Sequence, residues 1–239
     1  MKIASGPLYY GSNGYEIKDN WNYSSYNSVY GKNVGSTYFN FIEMGQLFEK
    51  SGFTSSDGDI ENALDPLDGW RLPTIDEWYN IVYSEYGRIG STVNNTQGVC
   101  YALIDFENDD EKGLLLFPDG ETITGTTLVN TDTTYGGNTL TVSQFNEYIN
   151  QGCLYLPASG RYDTSNWDDN ESWGMYWSST ENSTSSTSAE SLWFADEYLR
   201  SVSESKSNQY YQVLLVKDTT YGEETPLEGA NKDLNNWVI

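Results

Sequence analysis

Apolar and polar positions along this chain fall into short units whose period switches between two and three to four. Leu8-Tyr9-Tyr10 and Tyr15-Glu16-Ile17 flank Gly11-Ser12-Asn13-Gly14, residues that tolerate positive φ, and this predicts an opening β-hairpin. The polar, tyrosine-rich stretch from Lys18 to Gly35 reads as a surface loop. Over Tyr38 to Gly52, the spacing of Phe41, Met44, Leu47 and Phe48 suits a helix, while Gly45 and the aromatic content also suit irregular structure. Asp57, Asp59, Glu61, Asp65 and Asp68, interrupted by Gly58 and Pro66, make an acidic loop. After it, Thr74 and Glu77 form a capping box, and Ile75, Trp78, Val82 and Tyr83 share one face of a helix that should stop near Gly87.

Gly98 to Phe106 and Gly113 to Phe117 are apolar runs separated by the acidic turn Glu107 to Glu111, and they predict two strands of a sheet. A second capping box, Thr141 with Gln144, opens a shorter helix carrying Val142, Phe145, Tyr148 and Ile149, with Gly152 placed as its C-terminal cap. Leu154-Tyr155-Leu156 begins a strand. A polar aromatic loop, TSNWDDNESWG, then leads into Met175 to Ser179. Beyond the Ser/Thr-rich segment Asn182 to Glu190, strands at Ser191 to Ala195, Tyr198 to Ser201 and Tyr210 to Lys217 predict an antiparallel meander.

With 239 residues, no repeat array and no Pro-rich linker, the chain reads as one domain over 1–218 followed by an extension over 219–239 that ends in Trp237-Val238-Ile239. Twenty Tyr, 8 Trp and 8 Phe predict an aromatic-rich core. A formal charge of -23 repels phosphate backbones and anionic membrane surfaces, so nucleic acid is not an expected partner. No apolar run reaches the roughly 20 residues that span a bilayer, so direct membrane insertion is not expected either. The chain starts inside what reads as a strand, which predicts that a leader or upstream domain has been trimmed away and a Met added.

There is no histidine. The commonest general base, triad activator and transition-metal ligand is therefore missing, and this argues against catalysis. Cys100 and Cys153 form no CxxC pair; they are either a long-range disulfide or two buried thiols.

GWRLPTIDEW (69–78), CLYLPASGRY (153–162), YWSSTEN (176–182) and QVLLVKD (212–218) occur in this order. Together they resemble the Fibrobacter succinogenes major paralogous domain, a bacterial surface-protein family within the C-type-lectin-like and formylglycine-generating-enzyme-like superfamily. GLLLFPDG (113–120) resembles its large gut-bacterial branch. The resemblance implies an α+β, C-type-lectin-like fold with two main helices packed on twisted antiparallel sheets with long irregular loops. It implies core positions for Trp70, Trp78 and Trp177, and an extracellular or cell-surface location. The reactive cysteine pair of the oxidase branch and the histidine cluster of the sulfoxide synthases are both missing here.

Function is therefore sought in binding. Tyr162, Trp167, Asp168, Asn170 and Trp173 lie in a segment too polar for a core strand, where aromatic faces sit beside hydrogen-bonding groups. Trp167 and Trp173 are either ligand-facing or folded back as caps on the core. By analogy with relatives that hold ligand on their last strands, Trp193, Tyr198, Arg200, Tyr210 and Tyr211 are further candidates, and strand alternation should bury about half of them. No cofactor is expected. Calcium stays open, with Asp168, Asp169 and Glu171 as candidate ligands, although Asn166-Trp167-Asp168 only loosely matches the animal-lectin calcium motif and has no upstream partner motif.

The leading expectation is a non-catalytic extracellular recognition module, adhesin-like, that binds a glycan or protein on a host or neighbouring cell. The alternative is a structural or tip subunit of a surface assembly such as a fimbria, joined to its partner through the C-terminal extension.

Overall fold

From Gly174 to Ser179 every residue is buried, a pattern that fits a strand covered on both faces and no amphipathic element. The computed structural model, which describes residues 1–18, 30–82, 91–107, 111–125, 128, 134–164, 166–168 and 172–218, shows such a strand at the centre of an α+β fold. In chain order the elements begin with β1 (Lys2–Ile3), β2 (Leu8–Gly11), β3 (Gly14–Ile17), β4 (Tyr38–Phe39), α1 (Phe41–Phe48), β5 (Trp70–Arg71) and α2 (Ile75–Val82). They continue with β6 (Ser91–Val93), β7 (Thr96–Val99), β8 (Tyr101–Phe106), β9 (Lys112–Leu116), β10 (Thr122–Ile123), β11 (Thr139–Leu140) and α3 (Val142–Asn150). The last are β12 (Leu154–Pro157), β13 (Arg161–Asp163), β14 (Asn166–Asp168), β15 (Gly174–Asn182), β16 (Ser185–Ala195), β17 (Tyr198–Ser205), β18 (Gln209–Gln212) and β19 (Val216–Lys217).

The main sheet has the order β14-β13-β18-β15-β16-β17, with β4 also paired to β18. It separates two cores. On one side Tyr176, Leu192 and Phe194 pack with Trp78, Ile81 and Val82 of α2, Phe145 and Tyr148 of α3, and a second sheet ordered β11-β8-β9-β12. On the other, Met175, Trp177, Tyr211 and Val213 pack with Phe41, Met44 and Phe48 of α1.

Tryptophan and tyrosine serve this interior because each brings one polar atom that a backbone carbonyl can satisfy. Trp177 Nε1 donates to Phe39 O at 2.9 Å, Trp78 Nε1 to Trp177 O at 3.2 Å, Tyr38 Oη to Ser159 O at 2.8 Å and Tyr176 Oη to Pro157 O at 2.8 Å.

Both predicted capping boxes form. Thr74 N donates to Glu77 Oε2 at 2.8 Å and Glu77 N to Thr74 Oγ1 at 3.1 Å, and Thr141 pairs with Gln144 in the same way. Arg71 ties the Trp-Arg-Leu-Pro-Thr segment to α2 and to the residue that follows β19, holding both Glu77 oxygens (2.7 and 2.8 Å) and Asp218 Oδ1 (2.7 Å). The ambiguous segment after Tyr38 is a helix with its own capping box, Asn40 with Glu43. Gly45 is required there because a Cβ would lie 2.2 Å from the Phe53 ring.

Four expectations are corrected. Three helices rather than two are present among the described residues, since α1 joins α2 and α3. The loop expected over Tyr162 to Trp173 contains the hairpin β13–β14; an edge position lets a strand be polar on both faces, which hid it. The Ser/Thr-rich segment is the first half of β16. The meander ends at β17, because β18 returns to the far side of β15 and pairs with it in parallel, Tyr176 opposite Gln212. Tyr83, the helix stop at Gly87 and the 219–239 extension lie outside the described residues.

Cys100 and Cys153 are both buried thiols that form no disulfide. Tyr101 and Leu154 both lie opposite Leu116, so the two cysteines flank position 117 from either side, two strand spacings or about 10 Å apart. That exceeds the roughly 7 Å limit of a disulfide, and of the two alternatives the buried thiols stand.

Candidate binding site

In an antiparallel ladder, residues directly opposite each other point to the same face, so register sorts the candidate residues. Tyr162 lies opposite both Trp167 and Tyr210. Their face carries Tyr30, whose ring stacks on Tyr162 at 3.7 Å and 16° and meets Tyr210 edge-on at 5.0 Å. Trp167 stands edge-on to the fully buried Tyr38 at 4.8 Å. These rings cover one another and hold the hairpin against the core, so Trp167 folds back, as one of its two alternatives required.

The opposite face gathers different residues. Trp193 lies between Met175 and Arg200 in the ladder. Trp173 meets Trp193 edge-on at 5.1 Å and stacks on Tyr198 at 5.8 Å and 17°. The Arg200 guanidinium sits 5.2 Å from the Tyr198 ring centre. Trp173 and Trp193 are half-buried, Arg200 is exposed, and Tyr198 at 46% exposure is among the most open large apolar residues described. Of the five last-strand candidates, Tyr211 is fully buried and stacks on Trp177 at 4.4 Å, while Tyr210 is half-buried on the far face.

Arg161 and Glu204, neither marked out by the sequence, complete this face. Arg161 ion-pairs with Asp168 at 3.6 Å and with Glu204 at 3.5 Å, and its guanidinium lies 5.8 Å from the Trp193 ring centre. β13 and β17 are four steps apart in the sheet, about 19 Å if it were flat. The two long side chains span most of that distance, and their 3.5 Å contact means that the sheet curves towards this face. Burial holds the Glu204 carboxyl above its ordinary range, helped by Asp163 and opposed by Arg161. The signal for Glu204 was present: Tyr198, Arg200 and Glu204 share the even positions of one strand.

Asp168 is exposed and faces Arg161; Asp169, Asn170 and Glu171 lie outside the described residues. Among the described residues no group of three or more His, Cys, Asp or Glu is arranged to hold a metal ion. The acidic loop uses its carboxylates internally: Asp57 takes Lys50 and the Thr54 N–H, Asp59 the Glu181 N–H at 2.6 Å, and Asp65 the Gly69 N–H.

No family model, no curated protein and no solved structure matches the chain.

Proposed function

We propose that this chain is a non-catalytic recognition module of C-type-lectin-like build, displayed at a bacterial cell surface, that binds a glycan or a protein through Trp173, Trp193, Tyr198 and Arg200. The reading is supported chiefly by the stack of Trp173 on Tyr198, with Trp193 edge-on beside it. Three mutually braced aromatic side chains that stay partly open lose little conformational entropy on binding and give sugar rings or a protein hot spot a flat apolar contact. Arg200, Arg161 and Glu204 add charged hydrogen-bonding groups at its margin. The absence of histidine and the burial of both thiols favour binding over chemistry. The same motifs that resemble the Fibrobacter succinogenes major paralogous domain support the fold and the surface location.

The test is a screen of the purified chain against immobilised glycans and host-matrix proteins, with and without calcium, followed by Trp173→Ala and Tyr198→Ala. A saturable ligand lost in both variants while the near-UV circular dichroism of the fold persists is the expected result. Undiminished binding by both variants removes this face from consideration, and dependence on calcium would reinstate a metal site.

A further inference from the structure

Arg71 and Arg161 are each matched by two carboxylates, Glu77 with Asp218 and Asp168 with Glu204. The Arg200 guanidinium meets no carboxylate and no hydrogen-bond acceptor among the described residues, although the chain carries 35 acidic residues against 12 basic ones. Exposed ion pairs contribute little, so a missing acid by itself says nothing. The way the guanidinium is held says more. It lies 5.2 Å from the centre of the Tyr198 ring, Tyr198 is stacked in turn on Trp173, and Arg200 stands directly opposite Trp193 in the ladder. An aromatic ring beside a guanidinium restrains the plane of the fork while its N–H groups stay open to water, and Arg200 is exposed.

A fork restrained in this way fits a planar carboxylate, which takes two parallel N–H bonds. The surroundings limit how many carboxylates the ligand can bring. Asp196 and Glu197 are exposed in the turn just before Tyr198, Glu204 lies on the same face of β17, and the Asp168 side chain is 58% exposed. An acidic peptide or a polyuronate would place further charges against these acids within the screening length of about 8 Å at physiological salt. One carboxylate set in an otherwise neutral molecule avoids that repulsion. The exposed parts of Trp173 and Tyr198 beside it suit the apolar C–H edge of a sugar ring.

We propose that Arg200, held by Tyr198, docks the carboxylate of a single acidic sugar, a uronic or sialic acid in an otherwise neutral glycan, whose ring packs on Trp173 and Tyr198. The inference rests on the recognition reading above and narrows its ligand to an acidic saccharide.

The experiment follows the indole N–H signals of Trp173 and Trp193 by proton–nitrogen correlation NMR of the full chain, assigned with Trp→Phe variants. The probes are pairs that differ at the carboxyl group: the methyl glycosides of glucuronic and galacturonic acid against those of glucose and galactose, and the methyl glycoside of N-acetylneuraminic acid against its carboxamide. Each is taken to about 50 mM, where a millimolar site fills. At least one acid should shift the Trp173 signal along a saturable curve, about tenfold tighter than its neutral partner. Arg200→Gln should erase that difference at an unchanged Tm, and Arg200→Lys, which keeps the charge without the fork, should restore only part of it. If acid and neutral partner bind alike, or Arg200→Gln keeps the preference, the assignment is overturned and the recognition reading survives. A response to tetraglutamate with none to the sugars overturns it in favour of a protein ligand. Silence towards every probe also overturns it, and the recognition reading then stands or falls on the screen of immobilised glycans and proteins.

Discussion

Lys206 Nζ lies 2.8 Å from Glu181 Oε1 with its side chain entirely shut off from water. The ammonium also donates to the carbonyls of Asp57, Ser186 and Ser55, and it sits 5.4 Å from the centre of the Phe41 ring. One side chain thereby joins the acidic loop, the β15–β16 turn and the β17–β18 turn. Lys206→Met should cost about 3 kcal/mol or more, because it strands a carboxylate and several carbonyls that water reaches poorly. Urea denaturation measures this, and a midpoint equal to wild type would show that the loop holds without the lysine.

Trp167 and Trp173 should part company on mutation. Trp167→Ala removes the ring packed on buried Tyr38 and should destabilise by about 2 kcal/mol, a loss of roughly 5 °C in Tm, while ligand binding persists. Trp173→Ala should abolish binding at a smaller thermal cost. Calorimetry beside a binding assay separates them, and the reverse pattern would move the site to the other face of the hairpin.

Asp57 should make the acidic loop acid-labile. Its hydrogen bonds from Lys50 and Thr54 lower its pKa from the ordinary 3.8 to about 2. A carboxyl depressed on folding contributes stability in full above its ordinary pKa and loses it as the pH falls through the window from about 4 to 2. The difference in urea midpoint between wild type and Asp57→Asn should accordingly be constant above pH 5 and shrink steadily as the pH falls towards 2. A difference that does not change over that range contradicts the assignment.

Both thiols should be silent to a water-soluble disulfide reagent in the native state and titrate as two per chain in denaturant. Burial pushes the Cys153 thiol well above its ordinary range, which removes the thiolate such reagents need. An unfolded chain with no titratable thiol would mean that the bridge exists after all.

What could be read from the sequence was local. Thr74 with Glu77 and Thr141 with Gln144 announce helix starts because cap and partner are three residues apart, and the opening hairpin follows from its loop residues. Asn40 with Glu43 carries the same message, masked by Gly45, whose real task is to admit the Phe53 ring. Pairings between distant segments left no such trace. Nothing near Gln212 indicates that it lies beside Tyr176 in parallel, and nothing near Arg161 indicates Glu204. The candidate face was therefore half legible: Trp173, Trp193, Tyr198 and Arg200 follow from aromatic content and alternation, while the polar residues at its margin come from curvature.

The strand that ends the described chain, β19, lies between β1 and β5, with Lys217 opposite Lys2 and Val216 opposite Ile3. Because the pair is antiparallel, any polypeptide joined before Lys2 and any joined after Lys217 departs from the same end of that ladder. A load applied across the two ends therefore falls on one rung at a time and peels the sheet open. Spliced between two tethers, the chain would meet tension in the direction this short ladder resists least, and β1 would part from β19 before the longer strands were loaded.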